Sequence, residues 1–590
     1  MMKTMVSVMN EELKKAFKAC GYDDAGAFVQ ISNRPDLCEY QCNGCMAAAK
    51  KAGKKPIDIA SEISEALLQS GIFEEVKAVM PGFINMKLSS VFLRDCIRQM
   101  AGQEKHGIAE DEPGKTIIVD YGGANVAKPL HIGHLRSAII GESIKRMGKF
   151  FGNRMIGDVH LGDWGLQMGL IIEELHLRKP GLPYFDPDFK GSYPEKAPFT
   201  IGELEEIYPT ASGRAKTDPD FAARAHEATL KLQNGFPPYL ALWKHIINIS
   251  VKDLKKNYDA LDVDFELWKG ESDAEPYIPA LLQDLEKKKL AYESDGALVV
   301  DIAEPGDSKE LPPCIVRKSD GAALYATSDL ATLIEREKLY RPDEYIYITD
   351  KRQDLHFTQV FRVARKAGIV PENRILKHIG FGTMNGQDGK PFKTREGGVM
   401  RLENLIREIR EAVYGKISEN GEIPEDEAKE TSRIVGLAAL KYGDLSNQAS
   451  KDYVFDIDRF ASLEGNTGPY ILYTIVRIKS ILKKYAESGG SAVNEADLLP
   501  ADCTAEKNLC LELAKYPDAA GSAWRELAPH KVCQYIYGTA EAFNSYYHEV
   551  MILSEPEEKK KRSRLSLIKI TEDILTDCMT MLGMEIPDRM

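Results

Sequence analysis

No stretch of this 590-residue sequence approaches the ~18 uninterrupted apolar residues that a helical membrane span requires. The first residues, Met1-Met2-Lys3-Thr4 leading to Glu11-Glu12-Leu13-Lys14-Lys15, lack the apolar run and small-residue cleavage site of a secretory signal. The ten cysteines are scattered without a pairing pattern, which argues against a disulfide scaffold and makes the cytoplasm the expected compartment. Internal repeats are missing, so a solenoid is excluded. Positive charge is not in excess either, the net charge being −13. That weighs only slightly against a nucleic-acid partner, because such binding follows local Lys and Arg clusters rather than the total. The single strong charge run, Glu557-Glu558-Lys559-Lys560-Lys561-Arg562, reads as a solvated loop or helix end.

What is present is ordinary globular material, 43% hydrophobic and 28% charged. At roughly 150 residues per domain the length suggests about four units. Residues 1–113 mix helical periodicity with a strand-like Gly82-Phe83-Ile84-Asn85-Met86-Lys87-Leu88, and Gly102 to Gly114 reads as a polar linker. Thr116 to Tyr121 is an apolar run of strand length. A turn-rich stretch follows, then a helix over about Leu135–Phe151 with Leu135, Ile139, Ile140, Ile144, Met147 and Phe151 on one face, and a strand over Arg154–His160. That rhythm is the βαβ unit of a parallel sheet. Residues of about 185–295 interrupt it as an insertion. Ile315-Val316-Arg317-Lys318 and Ala322-Ala323-Leu324-Tyr325 flank Ser319-Asp320-Gly321, which is hairpin chemistry. Tyr345–Ile348 and Ile375–Phe381 are expected as further buried strands. From Leu402 the period is helical, with a connecting region over 401–464 and amphipathic segments such as Ile471–Lys484 and Ala523–Tyr547 in the final section, 465–590.

The sharpest local signal is Ala124-Asn125-Val126-Ala127-Lys128-Pro129-Leu130-His131-Ile132-Gly133-His134-Leu135. It falls where the first strand ends and a helix begins, so unpaired N–H groups and the positive helix end converge on an anion. His131 and His134, three apart, emerge on one face of the first turn. Gly133 between them leaves room for a flat ring. Two imidazole donors with Lys128 nearby suit charge developing on a phosphate in transfer. The plain alternative is a histidine pair that merely caps the helix.

This stretch resembles the HIGH element of class I aminoacyl-tRNA synthetases, and Asp120–Ser137 with Gly162-Asp163-Trp164-Gly165-Leu166-Gln167 resembles the arginyl enzymes in particular. The likeness runs almost end to end. Pro81–Asn85, Glu271-Ser272, Tyr325–Asp329, Gln353–His356, Gly389–Arg395, Gly465–Thr467, Pro469-Tyr470 and Met590 follow in family order. It implies a multidomain α/β architecture: a Rossmann-type parallel-sheet catalytic domain over 114–400, an α+β N-terminal domain and a C-terminal all-α helical bundle. It also implies ATP binding through His131, Gly133, His134, Gly382, Met384 and Thr394. The second class I element departs from its usual Lys-Met-Ser-Lys-Ser. Here it is Pro391-Phe392-Lys393-Thr394-Arg395, so the customary lysine falls on Thr394. The resemblance assigns the missing charge to Lys128, with Lys393 and Arg395 sharing the work.

The family's arginine pocket maps onto Asp120, Asn125, His160, Tyr325, Asp329 and Gln353. A guanidinium is held best by carboxylates in bidentate geometry. Asp329 at the start of a helix is expected to be its main partner, and Tyr325 at the close of a strand to lie beside the stem. Asp120 would help with guanidinium or α-amino group. Such a hydrogen-bonding pocket rejects lysine by about 10⁴ or more, so no editing domain is expected.

RNA contacts are expected at both ends. Glu39-Tyr40-Gln41-Cys42-Asn43-Gly44 resembles the loop that meets the tRNA elbow, with an exposed Tyr40 stacking on a base and Gln41 and Asn43 reading its edge. Cys38, Cys42 and Cys45 have a spacing also used by iron–sulfur enzymes, but the tRNA reading explains the stretch without a metal. Pro529-His530, Phe543-Asn544, Tyr546-Tyr547 and Arg564-Leu565 resemble the anticodon-binding bundle, with Tyr473 and Tyr547 as contacts, although Leu472 stands where many relatives have Gln. The expected chemistry is ATP-dependent ligation of L-arginine to tRNA(Arg) by a monomer, with Mg²⁺ arriving on ATP, no protein-ligated metal, and no membrane or DNA partner. Activation is expected to need bound tRNA. A catalytically silent RNA-binding paralogue and a small-molecule nucleotidyltransferase remain the competing readings.

Overall fold

The computed structural model describes residues 3–22, 24, 26–319, 321, 323–390, 400–419 and 424–590. The N-terminal region folds as a four-stranded antiparallel sheet, in the spatial order Gln30–Ile31, Tyr40–Cys42, Phe83–Leu88, Phe73–Val79, covered by helices Met5–Ala19, Cys45–Ala52 and Pro56–Leu68. Phe83–Leu88 alternates half-buried and buried side chains, as a strand with one covered face must.

The central sheet is parallel. Its strands are β1 (Thr116–Asp120), β2 (Arg154–Asp158), β3 (Glu344–Asp350) and β4 (Ile375–Phe381), in the order β4-β3-β1-β2. Helices cover it, and so β1, β2 and β3 are nearly continuous runs of buried residues rather than alternations. The chain leaves β1 toward β2 and later returns to place β3 on the other side of β1. The carboxyl ends of β1 and β3 therefore flank the crevice where ligands of open α/β sheets bind. Helix α1 (Ile132–Phe150) links β1 to β2. It lies close to the sheet at Gly141, where a Cβ would sit 2.2 Å from the Tyr121 ring.

The expected insertion is helical, with Ile201–Ala215, Pro219–Gln233 and Pro237–Ala260, and ends in a small antiparallel sheet. In that sheet Ala297–Val300 pairs with both Ala291–Ser294 and Cys314–Arg317. The hairpin expected around Ser319–Gly321 falls partly on residues outside those described, and among the described residues no second arm follows Cys314–Arg317. Cys314–Arg317 takes its partner from Ala297–Val300, and Tyr325 opens helix α2 (Tyr325–Leu339) instead of closing a strand.

The C-terminal section is a bundle of helices Gly468–Glu487, Thr504–Ala514, Tyr516–Arg525, Pro529–Glu549 and Glu558–Met581. The single amphipathic segment expected over Ala523–Tyr547 is broken, because Leu527 takes the left-handed region at φ 51° before Pro529 starts the next helix. The supposed linker is clamped to this bundle: His106 Nδ1 lies 2.7 Å from Asp577 Oδ2, and the Trp524 indole donates to Asp111 at 2.8 Å. The end of Glu558–Met581 reaches α1 itself. Ser143 on α1 donates to the Met581 carbonyl at 3.2 Å, and buried Lys441 donates to the Gly583 carbonyl at 2.6 Å. Burial pushes the Lys441 ammonium down to about 8.

Candidate active site

The loop from β1 to α1 crosses the carboxyl edge of the sheet. Ala127 adopts φ 58°, a strained region for a residue with a Cβ, and its N–H donates to Ser250 Oγ at 2.9 Å. Two residues before it, Asn125 bridges to Gly162. Val126 N–H donates to Gly162 O and Gly162 N–H to Ala124 O, and a Cβ on Gly162 would meet Asn125 Oδ1 at 2.3 Å. The second glycine-containing motif of the sequence thus exists to let this loop approach.

His131 is the N-cap of α1. Its Nδ1 accepts from Gly133 N–H at 3.0 Å, while His134 Nδ1 accepts from His131 N–H at 3.1 Å. The ring centroids are 4.0 Å apart. Capping and chemistry are therefore not alternatives. Because each Nδ1 is an acceptor, the neutral ring carries its proton on Nε2, leaving that donor outside the cap. Both rings are held neutral. Burial pushes His134 down to about 3, with His131 and Lys128 adding to it, and burial followed by Lys128 lowers His131. Lys128 itself rests its Nζ 4.5 Å from the Tyr208 ring centroid.

Beside this pair lies a row of polar groups in strand register. Asp158, Asp120 and Tyr347 are neighbours across β2, β1 and β3. Arg336 of α2, wholly buried, donates to Asp120 at 2.5 Å, to Asp158 at 2.8 Å and to the Tyr347 hydroxyl at 3.1 Å. Asp120, expected to face a ligand, thus has Oδ2 committed to an internal arginine. Burial raises its carboxyl, and Arg336 opposes that rise. His160, at φ 40°, projects a buried Nδ1 with no partner among the described residues. Burial resists its charge most strongly, but Asp120, Asp158 and Asp329 together overcome it and raise its pKa.

The sequence placed Tyr325 and Asp329 together, and they are, although both sit within α2 rather than at a strand-to-helix junction. Tyr325 is 77% exposed, and Asp329 Oδ2 lies 2.5 Å from His356 Nε2. Gln353 is exposed just before helix Asp354–Lys366. Sequence reasoning did not single out Glu271, although its motif was noticed. Asp163 accepts from Ser272 N–H at 3.0 Å and Ser272 Oγ–H at 2.6 Å, which fixes the short helix that Glu271 begins. Burial, together with Asp163 and Asp329, pushes the Glu271 carboxyl up to about 7 against the pull of His160. Of the remaining residues expected at the nucleotide, Gly382 and Met384 are buried at the end of β4. The Gly382 carbonyl accepts from Arg136 at 2.6 Å, and Met384 pairs with Tyr453. Lys393, Thr394 and Arg395 lie outside the described residues.

Residues 97–457 match the family model for the catalytic domain of class I tRNA synthetases, type R. The chain belongs to the arginyl-tRNA synthetase family. Residues 7–88 match that family's N-terminal domain and residues 471–590 the DALR anticodon binding domain. The arginine–tRNA ligase of Agathobacter rectalis is 57% identical, and that of Alkaliphilus oremlandii 53%, each over the full length of both chains. The crystal structure of the Plasmodium falciparum arginyl-tRNA synthetase superposes with a TM-score of 0.81 at 27% identity, all of both chains being covered. The Thermus thermophilus arginyl-tRNA synthetase shares the fold, with a TM-score of 0.78 at 22% identity over 99% of this chain and all of the other.

The two groups of residues expected to contact RNA fare differently. Tyr40 is not the exposed stacker expected. It is 1% accessible, with its hydroxyl unpartnered among the described residues, and burial followed by Glu512 and Glu39 raises its pKa. Gln41 donates to Asn85 at 2.8 Å, and Asn43 donates to Gln30 at 3.3 Å. Lys507 of the bundle closes the region by pairing with Glu39 at 2.6 Å and Glu74 at 2.7 Å. Cys38, Cys42 and Cys45 are buried, and the three do not converge as a ligand set among the described residues. On the bundle, by contrast, Tyr473 and Tyr547 are each 38% exposed. The Arg477 guanidinium lies 4.7 and 5.0 Å from their ring centroids and is held by Asn544 at 2.8 Å. Arg477, one helical turn beyond Tyr473, was legible from its i+4 spacing and was missed.

Proposed function

We propose that the chain ligates L-arginine to tRNA(Arg) through an arginyl-adenylate, releasing pyrophosphate and then AMP. The observation that carries this reading is the pair of neutral, Nε2-protonated histidines at a helix N-terminus, beside Lys128 and on the same carboxyl edge of the sheet as the acids Asp120 and Asp158. An arginine carboxylate oxygen attacks the α-phosphorus of ATP, the bond to pyrophosphate breaks, and charge grows on the phosphate oxygens. His131 and His134 Nε2–H groups stabilise that charge, with Lys128, Lys393 and Arg395 assigned to share it and Thr394 assigned to ATP. Gly133, Gly382 and Met384 accommodate the nucleotide. Mg²⁺ is assigned to ATP rather than to a protein site. In the second step a terminal ribose hydroxyl of the tRNA attacks the carbonyl carbon and AMP leaves.

Glu271 and Asp329 are assigned to the guanidinium, with Asp120 and His160 setting the local charge and Asn125, Tyr325 and Gln353 lining the rest. Tyr473, Tyr547 and Arg477 form an aromatic platform with a cation for anticodon bases, each stacked base adding ~1–3 kcal/mol. Gln41 and Asn43 are assigned to the tRNA elbow, and Tyr40 to shaping that surface from below. The units are taken as 1–113, 114–400 with its insertion, 401–464 and 465–590, in a cytoplasmic monomer. Charging of tRNA(Arg) with labelled arginine tests the reading. Pyrophosphate exchange is expected only when tRNA is present. Exchange of equal rate without tRNA refutes the coupling, and absence of charging by the wild-type protein refutes the activity.

A further inference from the structure

We propose that Tyr208, on the insertion helix Ile201–Ala215, is a positioning residue that holds the Lys128 ammonium against the histidine pair and keeps it there when phosphate arrives. The proposal rests on the assignment of Lys128 to the nucleotide made above, and it names what orients that lysine.

Lys128 forms no ion pair among the described residues, and its Nζ faces the Tyr208 ring at 4.5 Å from the centroid. That choice of partner matters. A carboxylate would orient the lysine but cancel its charge and compete with phosphate. A ring face orients an ammonium through the quadrupole and leaves its N–H groups and net charge for another ligand. The lysine also lies close enough to bear on both His131 and His134, lowering the pKa of each.

The ring is also fixed relative to the histidines by a closed circuit of contacts. Arg401 pairs with Glu205, three residues before Tyr208, at 2.8 Å. Its backbone bridges to His131, and the flanking bonds Ile132 N–H to Met400 O at 3.0 Å and Leu402 N–H to Leu130 O at 2.9 Å hold that bridge in place. His131 lies three residues after Lys128. From Tyr208 one can thus pass through Glu205, Arg401, His131 and Lys128 and return to the ring. The helix carrying Tyr208 is braced independently: its N-cap Thr200 forms a capping box with Glu203, and Lys179 pairs with Glu203 at 2.7 Å. An insertion that only filled space would need neither an unneutralised lysine on its tyrosine nor a salt bridge back to the catalytic element.

The test replaces Tyr208 in the full-length protein by phenylalanine and by a series of increasingly fluorinated phenylalanines, which keep the shape while draining the ring's negative face. Pyrophosphate exchange is measured with tRNA(Arg) present. We expect kcat/KM for ATP to fall stepwise along the series, by about five- to ten-fold in total, while KM for arginine stays constant. In a Lys128→Met background the same series is expected to be flat, because the ring then has no cation to hold. A flat series in the wild-type background, or an equal slope in the Lys128→Met background, overturns the proposal. If Lys128→Met alone leaves exchange unchanged, the assignment of Lys128 to the nucleotide fails instead, and the two failures are distinguishable.

Discussion

Arginine affinity should rise with pH through neutrality, and Glu271 should be the reason. Its carboxyl is pushed up to about 7 by burial and by the acids Asp163 and Asp329. A guanidinium binds the carboxylate and not the acid, so arginine must expel the proton it finds there. With a free-protein value near 7, about one site in eleven is ionised at pH 6 and about ten in eleven at pH 8. Affinity should therefore be about ten-fold weaker at pH 6, a difference of ~1.4 kcal/mol. Calorimetric titration with arginine in two buffers of different ionisation enthalpy reads both the affinity and the protons released, expected near one per site at pH 6 and near zero at pH 8. In Glu271→Gln the pH dependence should vanish and affinity should fall at pH 8. The same shift has a stability side with a definite sign. An acid whose folded value lies above its unfolded 4.5 contributes stability that is full below 4.5 and lost as pH rises through about 7. Above that window the wild type bears the cost of a partly buried carboxylate. The ligand-free Gln variant should then melt higher at pH 8, by up to ~3 kcal/mol, an upper figure because Glu271 keeps some contact with solvent. A pH-independent affinity between 6 and 8 in the wild type would refute this account of the pocket.

Other consequences can be checked directly. His134→Ala removes the acceptor of the His131 N–H and a phosphate donor together: helix-cap loss should cost ~0.5–2 kcal/mol in denaturant titration, and charging should fall about 10²–10³-fold. Since His134 titrates only near 3, no acid limb from it should appear in the wild-type pH–rate profile between 5 and 7. Arg336→Met strands Asp120 and Asp158 at the sheet edge, so unfolding should be easier by ~3–5 kcal/mol at neutral pH, with the deficit shrinking on acidification as the acids take up protons. Arg477→Ala should raise KM for tRNA by about ten-fold while the melting temperature stays within a degree or two, because Arg477 links two exposed rings and leaves the bundle core untouched.

The central sheet was legible because parallel strands covered on both faces are written as unbroken apolar runs, and β1 and β3 were found on that sign; β4, expected to be buried, is an edge strand whose side chains are mostly half-buried. The histidine element was legible because strand-to-helix turns concentrate N–H groups, and its spacing announced a shared face. Failures came wherever a partner far along the chain decided the outcome. Ser319-Asp320-Gly321 has the local chemistry of a hairpin, yet Cys314–Arg317 pairs with Ala297–Val300 on its other side, and α2 begins in the space left. Tyr40 looks like a loop aromatic among amides, but it is covered where the bundle packs on the N-terminal sheet, and Glu512 and Asp518 are among the charges it feels. Asp120 carries no local mark of its arginine, which lies 216 residues downstream. Glu271 is one acid among many until Asp163 folds it inward.

The grip of Met581 and Gly583 on the catalytic helix and Lys441 sets an order of events during synthesis. Ser143 and Met581 are separated by 438 residues. At ~5–20 residues per second a ribosome needs roughly 20 to 90 s to make the second after the first. For that interval the Ser143 flank of α1 lacks the contact it makes in the folded protein with the end of the last helix. A nascent or truncated chain should therefore present a nucleotide site whose main helix is still loosely seated, and catalytic competence should come with the last helix rather than with the Rossmann sheet. Timing, as much as contact, is written into that pair of carbonyls.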